Sequence, residues 1–252
     1  MITYFQKSVV GMLVCFAAAC QAADLKVLTA GAFKPVLTAL QPEFEKQTGH
    51  RLIIDNDTAG GLQRRVAAGE AFDVLVVTPA VLTTLGGQGK LSEGSSHRLA
   101  RVAIGVAVKN GDRAPDISTV ANFQAALLAA RAVAYIDPAA GGSSGIYLSN
   151  LFEKWGLKER INAKAVLVPG GLVAERLLNG QADLAVHQIS EILAVPGATL
   201  VGPLPAEIQN YTVYSGAVSS SSAQAIAAKQ LIYALNSPAA AAILQSKGME
   251  RP

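Results

Sequence analysis

Four times in this chain a short apolar run ends in a turn carrying glycine or a hydroxyl residue and gives way to a helical pattern. The first instance is Leu25-Lys26-Val27-Leu28-Thr29-Ala30-Gly31-Ala32-Phe33-Lys34-Pro35. Val27 to Ala30 is long enough for a buried strand, Gly31 supplies the turn, and Pro35 sits where a helix favours its first residues. Phe33, Val36, Leu37, Leu40 and Phe44 then recur at helical spacing, which gives one apolar stripe. A strand that turns sharply into a helix aims the helix's free N–H groups at the space beyond the strand end, a potential anion site. Strands alternating with helices over such short loops predict a parallel sheet covered on both faces, the α/β class.

The same reading carried along the chain gives two blocks. In the first, Arg51 to Asp55 and Phe72 to Val77 are strands, Leu62 to Ala68 is a helix, and another helix runs to Leu85. Pro42 inside the first helix should kink it, because a mid-helix proline removes a hydrogen bond and clashes with the preceding turn. Arg101 to Val108 is an apolar strand, and Asn110 to Ser118 reads as a link. The second block holds helix Phe123–Ala130, strand Ala132–Ile136, helix Gly145–Trp155, strand Ala165–Val168, helix Leu172–Asn179 and strand Leu184–His187. Tyr211 to Val218 is a further strand, followed by helices Ser222–Ala234 and Ala239–Gln245, with the serine run Ser219 to Ser222 as loop and helix cap. This order predicts two lobes: 23–104 as the first part of lobe 1, 105–208 as lobe 2, and 209–252 returning to lobe 1, with a ligand cleft between them.

Composition limits what such a chain can serve. Hydrophobic residues make up 51% and charged residues 15%, so a large core is affordable and disorder is not expected. Formal charge is +3 with no basic run beyond Arg64-Arg65, too little for a nucleic-acid footprint. A small ligand suits these electrostatics better than a polyanionic partner, and a monomer is expected. Residues 1–22 have the plan of a secretory signal: Lys7, an apolar stretch from Val9 to Ala19, and a small-x-small site at Cys20-Gln21-Ala22. That stretch is shorter than the about 20 residues that span a bilayer. Both cysteines, Cys15 and Cys20, lie within it. A second reading makes Ala17-Ala18-Ala19-Cys20 a loose lipobox that would leave Cys20 lipidated, but the usual Leu three positions before it is missing, so simple cleavage is preferred.

The candidate site is the set of turns: Gly31-Ala32, Thr58-Ala59-Gly60-Gly61, Gly142-Ser143-Ser144-Gly145 and Gly170-Gly171. Any one of them is an ordinary β–α connection, where Gly and Ser are common. All four together, in a two-block chain behind an export signal, make a binding cleft. Glycine lets a ligand approach the backbone, and Thr58, Ser143 and Ser144 offer hydroxyls. Helix N-termini from both lobes could hold an anion without a full counter-charge.

These residues also carry a resemblance. From Leu25 almost to Pro252 the chain resembles the periplasmic solute-binding proteins of the molybdate-binding type. The matching segments are Leu25–Ala32, Phe44-Glu45-Lys46-Gln47-Thr48-Gly49-His50, Leu62–Glu70, Phe72–Val76, Gly145-Ile146-Tyr147 and Asn179-Gly180-Gln181-Ala182-Asp183-Leu184. The resemblance implies a type II two-lobed fold, export, a small anionic ligand and a membrane permease of an ABC importer as partner, with no cofactor. It further implies two serines and a tyrosine as donors to the oxyanion. Their positions here fall on Ala32, Ala59 and Gln188, none of which matches. Losing both hydroxyls would leave an oxyanion short of donors, at roughly 1–3 kcal/mol for each unmet partner. Thr58, Ser143 and Gln188 could instead serve an organic acid with hydroxyl or carboxylate groups, while Ser144 and Gly170 stay in suitable places.

One enzyme type looks similar in fold and export, the periplasmic aconitate isomerases, and gives the alternative function. Shifting a proton and a double bond in a tricarboxylate needs an acid/base near the carbon and cations for the carboxylates. His187 at a strand end could be that base, and Arg64 in the first turn of its helix could reach a carboxylate. A single His at a strand end is more often a surface or packing residue, however, and an Arg such as Arg64 more often lies solvated on its helix. His50, His97 and His187 are far apart in sequence, so no zinc pattern arises. No phosphate-binding Gly-x-x-x-x-Gly-Lys-Ser/Thr loop is present. Gly141-Gly142-Ser143-Ser144-Gly145 fits the Gly-x-Ser-x-Gly hydrolase elbow in form, but its turn is longer than an elbow allows. Tyr135, Tyr147, Phe152 and Trp155 read as core.

Overall fold

A computed structural model describes residues 22–252; residues 1–21 of the export segment, with Cys15 and Cys20, fall outside the described residues. Strand β1 (Asp24–Ala30) pairs in parallel with β2 (Arg51–Asp57) and β3 (Val74–Val77). Helices α1 (Lys34–Thr48), α2 (Ala59–Ala67) and α3 (Pro79–Gly87) each follow one of these strands. The long strand β4 (His97–Lys109) leads into α4 (Val120–Ala129), β5 (Val133–Ile136), α5 (Ser143–Lys154), α6 (Lys158–Asn162), β6 (Ala165–Val168), α7 (Glu175–Leu178), β7 (Leu184–Gln188), α8 (Ile189–Ile192) and β8 (Ala198–Pro203). The chain closes with β9 (Tyr211–Val218), α9 (Ala225–Asn236), α10 (Pro238–Ser246) and β10 (Met249–Glu250).

β4 belongs to two sheets. Its first half, His97 to Ala103, runs antiparallel to β9, which in turn pairs with β3. Its second half, from Ile104 onward, runs antiparallel to β7 and β8, and β7 and β6 flank β5 in parallel. Alternation along each strand feeds a separate core on each face, as the two-residue period requires. In lobe 1, Val74 and Val76 pack with Leu25, Phe44 and Leu231, whereas Leu75 and Val77 pack with Leu28, Leu62 and Leu85. In lobe 2, Ile104 and Val106 join Phe123, Tyr135 and Phe152, while Ala107, Ile136, Ala185 and Ile192 form the opposite layer. Tyr135 and Phe152 meet edge to face at 5.6 Å, so these aromatics are core.

α1 runs through Pro42 as one helix. Thr38, whose carbonyl loses its partner, and Pro42 both lie on the exposed face, where water can hydrate that carbonyl. Two local expectations change. The helix expected at Leu172–Asn179 is a single turn, Glu175–Leu178. Ser222 does not cap α9 at its start: its hydroxyl donates to Asp73 Oδ1 at 2.6 Å and the helix begins at Ala225. Among the described residues no helix is long and apolar enough to cross a membrane.

Candidate functional site

The strand ends of both lobes converge. β1 passes through a 3-10 turn at Gly31–Phe33 into α1. β2 passes into α2 at Thr58, whose hydroxyl caps the helix by accepting from the Gly61 N–H at 2.9 Å. β5 reaches α5 through residues 137–142, and β7 turns at Gln188 into α8. Between these ends lies an inner cavity of about 30 Å³, lined by Gly31, Thr58 and Ala59 from lobe 1 and by Ser143, Ser144, His187, Gln188 and Glu191 from lobe 2. The first residues of α2 and α5 thus face one space from opposite lobes, where backbone N–H groups and helix dipoles favour negative charge. The inner cavity has room for a water or two. An outer groove of about 600 Å³ adjoins it, and its lining includes the cations Lys34 and Lys247 and the acids Glu175 and Glu191.

The lips of the cleft are latched. Thr58 Oγ1 donates to the Ala140 carbonyl at 2.6 Å, and the Gly60 N–H donates to the Gly141 carbonyl at 3.1 Å. Arg64 Nη2 reaches the same Ala140 carbonyl at 3.4 Å. A Cβ on Gly60 would stand 2.8 Å from Gly141 Cα, so the backbones meet only because both residues are glycine. Deeper in, Ser190 Oγ donates to the Ala32 carbonyl at 2.8 Å. An organic acid is too large for the inner cavity, so its entry requires these contacts to part.

The polar groups at the base of the cleft are deeply buried. His187 is 2% and Glu191 7% exposed, with His187 Nε2 and Glu191 Oε2 3.3 Å apart. Burial pushes the Glu191 carboxyl up to about 8 and the His187 imidazole down to about 3, so desolvation favours the uncharged form of each. Among the described residues, His187 Nδ1 is the buried side-chain polar atom without a hydrogen-bond partner. His50 differs: also buried, it receives the Ala23 N–H on Nδ1 and meets Gln230 through Nε2. Tyr214, from β9, donates to Gln188 Oε1 at 2.8 Å, and Gln188 Nε2 donates to Thr212 Oγ1 at 3.2 Å. Burial, and then the nearby Glu191 carboxyl, raise the Tyr214 hydroxyl.

Of the residues expected from sequence, Gly31, Thr58, Ala59, Ser143, Ser144, His187 and Gln188 come together around the inner cavity. Four do not line it. Ala32 is buried beneath it, Gly60 and Arg64 are on the lip, and Gly171 rather than Gly170 borders the space. Sequence reasoning missed Glu191, Tyr214 and Asn56. Tyr214 brings a tyrosine hydroxyl onto Gln188, the position where the family resemblance implies a tyrosine, but from a different strand. Glu191 stands four residues after His187, a helical spacing hidden because a strand ends between them. No group of three His, Cys, Asp or Glu among the described residues is placed to hold a metal.

Comparison with known proteins gives a consistent picture. The model of the bacterial extracellular solute-binding protein family matches residues 25–250. Aconitate isomerase of Pseudomonas sp. is 35% identical over 232 residues, covering 90% of this chain and 87% of that protein. The periplasmic molybdate-binding protein of Azotobacter vinelandii superposes with a TM-score of 0.75 at 24% identity, over 90% of this chain and 99% of that one. The sulfate-binding protein SubI of Mycobacterium tuberculosis H37Rv gives 0.73 at 16%, over 91% and 87%. At these identities the two structures speak for the fold, the two-lobed type II architecture.

Proposed function

Because the chain belongs to the family of bacterial extracellular solute-binding proteins, we propose that it is an exported receptor that captures a small organic anion in its cleft and delivers it to an ABC-type importer in the membrane. The observation that carries this reading is the pairing of helix starts: α2 from one lobe and α5 from the other present Thr58, Ser143 and Ser144 to one space. The lobes are 23–104 with 209–252, and 105–208, a division supported by the change of β4 partners between Ala103 and Ile104. Export and periplasmic residence rest on residues 1–22, with cleavage preferred to a lipid anchor at Cys20. An organic acid is preferred to a bare oxyanion because Ala32 and Ala59 carry no hydroxyl.

A second reading, an isomerase acting on a tricarboxylate, is favoured by the 35% identity with aconitate isomerase and by a buried acid, Glu191, on the cavity wall. Thermal unfolding against molybdate, tungstate, sulfate, citrate and cis- and trans-aconitate tests both. A ligand at 100 times its Kd adds about 2.7 kcal/mol of stability. Stabilisation by the tricarboxylates and not by the oxyanions is the expected result; stabilisation by molybdate or tungstate alone would overturn the organic-acid assignment. Following aconitate by NMR separates receptor from isomerase.

A further inference from the structure

Four residues border both the outer groove and the inner cavity: Gly31, Asn56, Gly171 and Glu191. Glu191 is the ionisable one, so a ligand moving inward passes its carboxyl. That carboxyl is fixed from two sides. A Cβ on Gly31 would come within 2.6 Å of Glu191 Oε1, so the carboxyl occupies the space that a side chain at 31 would fill. Oε2 lies 3.3 Å from His187 Nε2. Among the described residues no Lys or Arg pairs with Glu191, although Asp55, Asp57 and Glu70 each have a cation. A buried carboxylate without a cation is costly, and taking up a proton relieves that cost. A carboxyl that readily gains and loses a proton, beside a ligand path and next to an imidazole with one nitrogen unpartnered, has what proton transfer to carbon requires.

We propose that Glu191 is the acid/base that moves a carbon-bound proton of an unsaturated tricarboxylate held in this cleft, with His187 as its positioning residue. The proposal rests on the isomerase reading above. In the step, the ionised form of Glu191, a minority while the cleft is empty, takes H⁺ from the CH₂ beside the ligand's double bond. The C–H electron pair forms the new double bond, while the old π pair moves to the far allylic carbon and delocalises into the carboxylate attached there. Glu191, now a carboxylic acid, returns H⁺ to that far carbon. Nothing is oxidised or reduced, and product and substrate have the same composition. His187 Nε2 holds the second carboxyl oxygen, so the reacting oxygen is the one packed against Gly31.

The test is ¹H NMR of cis- or trans-aconitate incubated with the full chain in D₂O, read beside thermal shifts for binding. The wild-type chain is expected to exchange the CH₂ protons for deuterium and to interconvert the isomers. Glu191→Gln should still be stabilised by the ligand but exchange at least about 100-fold more slowly, the usual weight of one positioned acid/base. Gly31→Ala displaces the carboxyl without removing it, and should slow exchange while the apo protein unfolds near the wild-type temperature. His187→Gln should lower kcat with KM unchanged. Tricarboxylate binding with neither exchange nor interconversion in the wild-type chain, or either one undiminished in Glu191→Gln, would overturn the proposal. Failure of the wild-type chain to bind any tricarboxylate would remove the isomerase reading itself, and the proposal with it.

Discussion

Two acidic clusters lie near the cleft and are built in opposite ways. Beside α2, Arg65 donates through Nε to Glu70 at 2.6 Å, through Nη2 to Asp55, and stands 3.7 Å from Asp57, while Lys26 pairs with Glu70 at 2.8 Å. These groups are a quarter to a half exposed, and hydrogen bonds from Arg65, then Lys26, hold the Glu70 carboxyl down at about 2. On the cavity wall, Glu191 and His187 are almost wholly buried, and neither has an ion-pair partner other than the other. The first cluster stays ionised and fully paired, and it fixes α2 and its Thr58 cap against β2. The second is kept uncharged by desolvation and leaves one nitrogen orphaned. Where every charge has a partner the site is a brace; where polarity is buried and half satisfied, the fold carries a cost that chemistry can explain.

The difference has consequences for stability. In the folded chain the His187–Glu191 pair holds one proton between about pH 3 and about pH 8. Unfolded, with ordinary values of 6.5 and 4.5, it holds two below 4.5, one between 4.5 and 6.5, and none above 6.5. This pair therefore makes stability rise from pH 3 to 4.5, leaves it level to 6.5, and lowers it toward pH 8. At about 1.4 kcal/mol per pH unit the alkaline loss amounts to about 2 kcal/mol at most. Denaturant unfolding at pH 6.5 and 8 should show this loss in the wild-type chain and not in Glu191→Gln; equal slopes in the two proteins would mean Glu191 is ionised throughout.

A smaller effect is expected from the brace. Arg65→Met strands Asp55 and Asp57, leaves Glu70 with Lys26 alone, and should cost about 1–2 kcal/mol at pH 7, more than the exposed-pair norm because one guanidinium serves all three. A loss below a few tenths would demote the cluster to surface decoration. Smallest of all, raising NaCl to 1 M should weaken the Arg65 cluster by less than about 1 kcal/mol and leave the alkaline loss from Glu191 unchanged, since buried groups are screened far less. A salt-sensitive pH profile would place water at Glu191.

Much of this molecule could be read from the chain before it was folded. Short apolar runs closed by Gly31, Thr58, Ser143 and Gly170 mark strand-to-helix turns, because Gly, Ser and Thr suit such turns and apolar runs suit strands buried on both faces. Thr58, Ser143, Ser144 and His187 were legible as cleft-lining residues for the same reason, since each sits at a strand end or helix start, whereas Gln188 was reached through the family resemblance. Glu191 was not, since an acid inside Ile-Ser-Glu-Ile reads as a surface residue. Tertiary packing buries it, with its carboxyl against Gly31 and the neighbouring Ser190 bonded to the Ala32 carbonyl. Tyr214 lies mid-strand and is brought to Gln188 by the pairing of β9 with β4, a contact between segments far apart in the chain. Arg64 was expected to reach a ligand and instead bonds the Ala140 carbonyl on the lip, a choice set by the closure of two loops that sequence spacing does not encode.

The double membership of β4 also bears on how fast the chain can assemble. Its first half finds β9 across more than a hundred intervening residues, pairing His97 with Gly216, while its second half needs β7, aligning Ile104 with Gln188. Loop closure over such spans has to be met before these pairings return any stabilisation, so topology alone places the chain among slow folders. Neither sheet is complete until this one strand is seated, and the two halves should therefore reach the native state as one kinetic event.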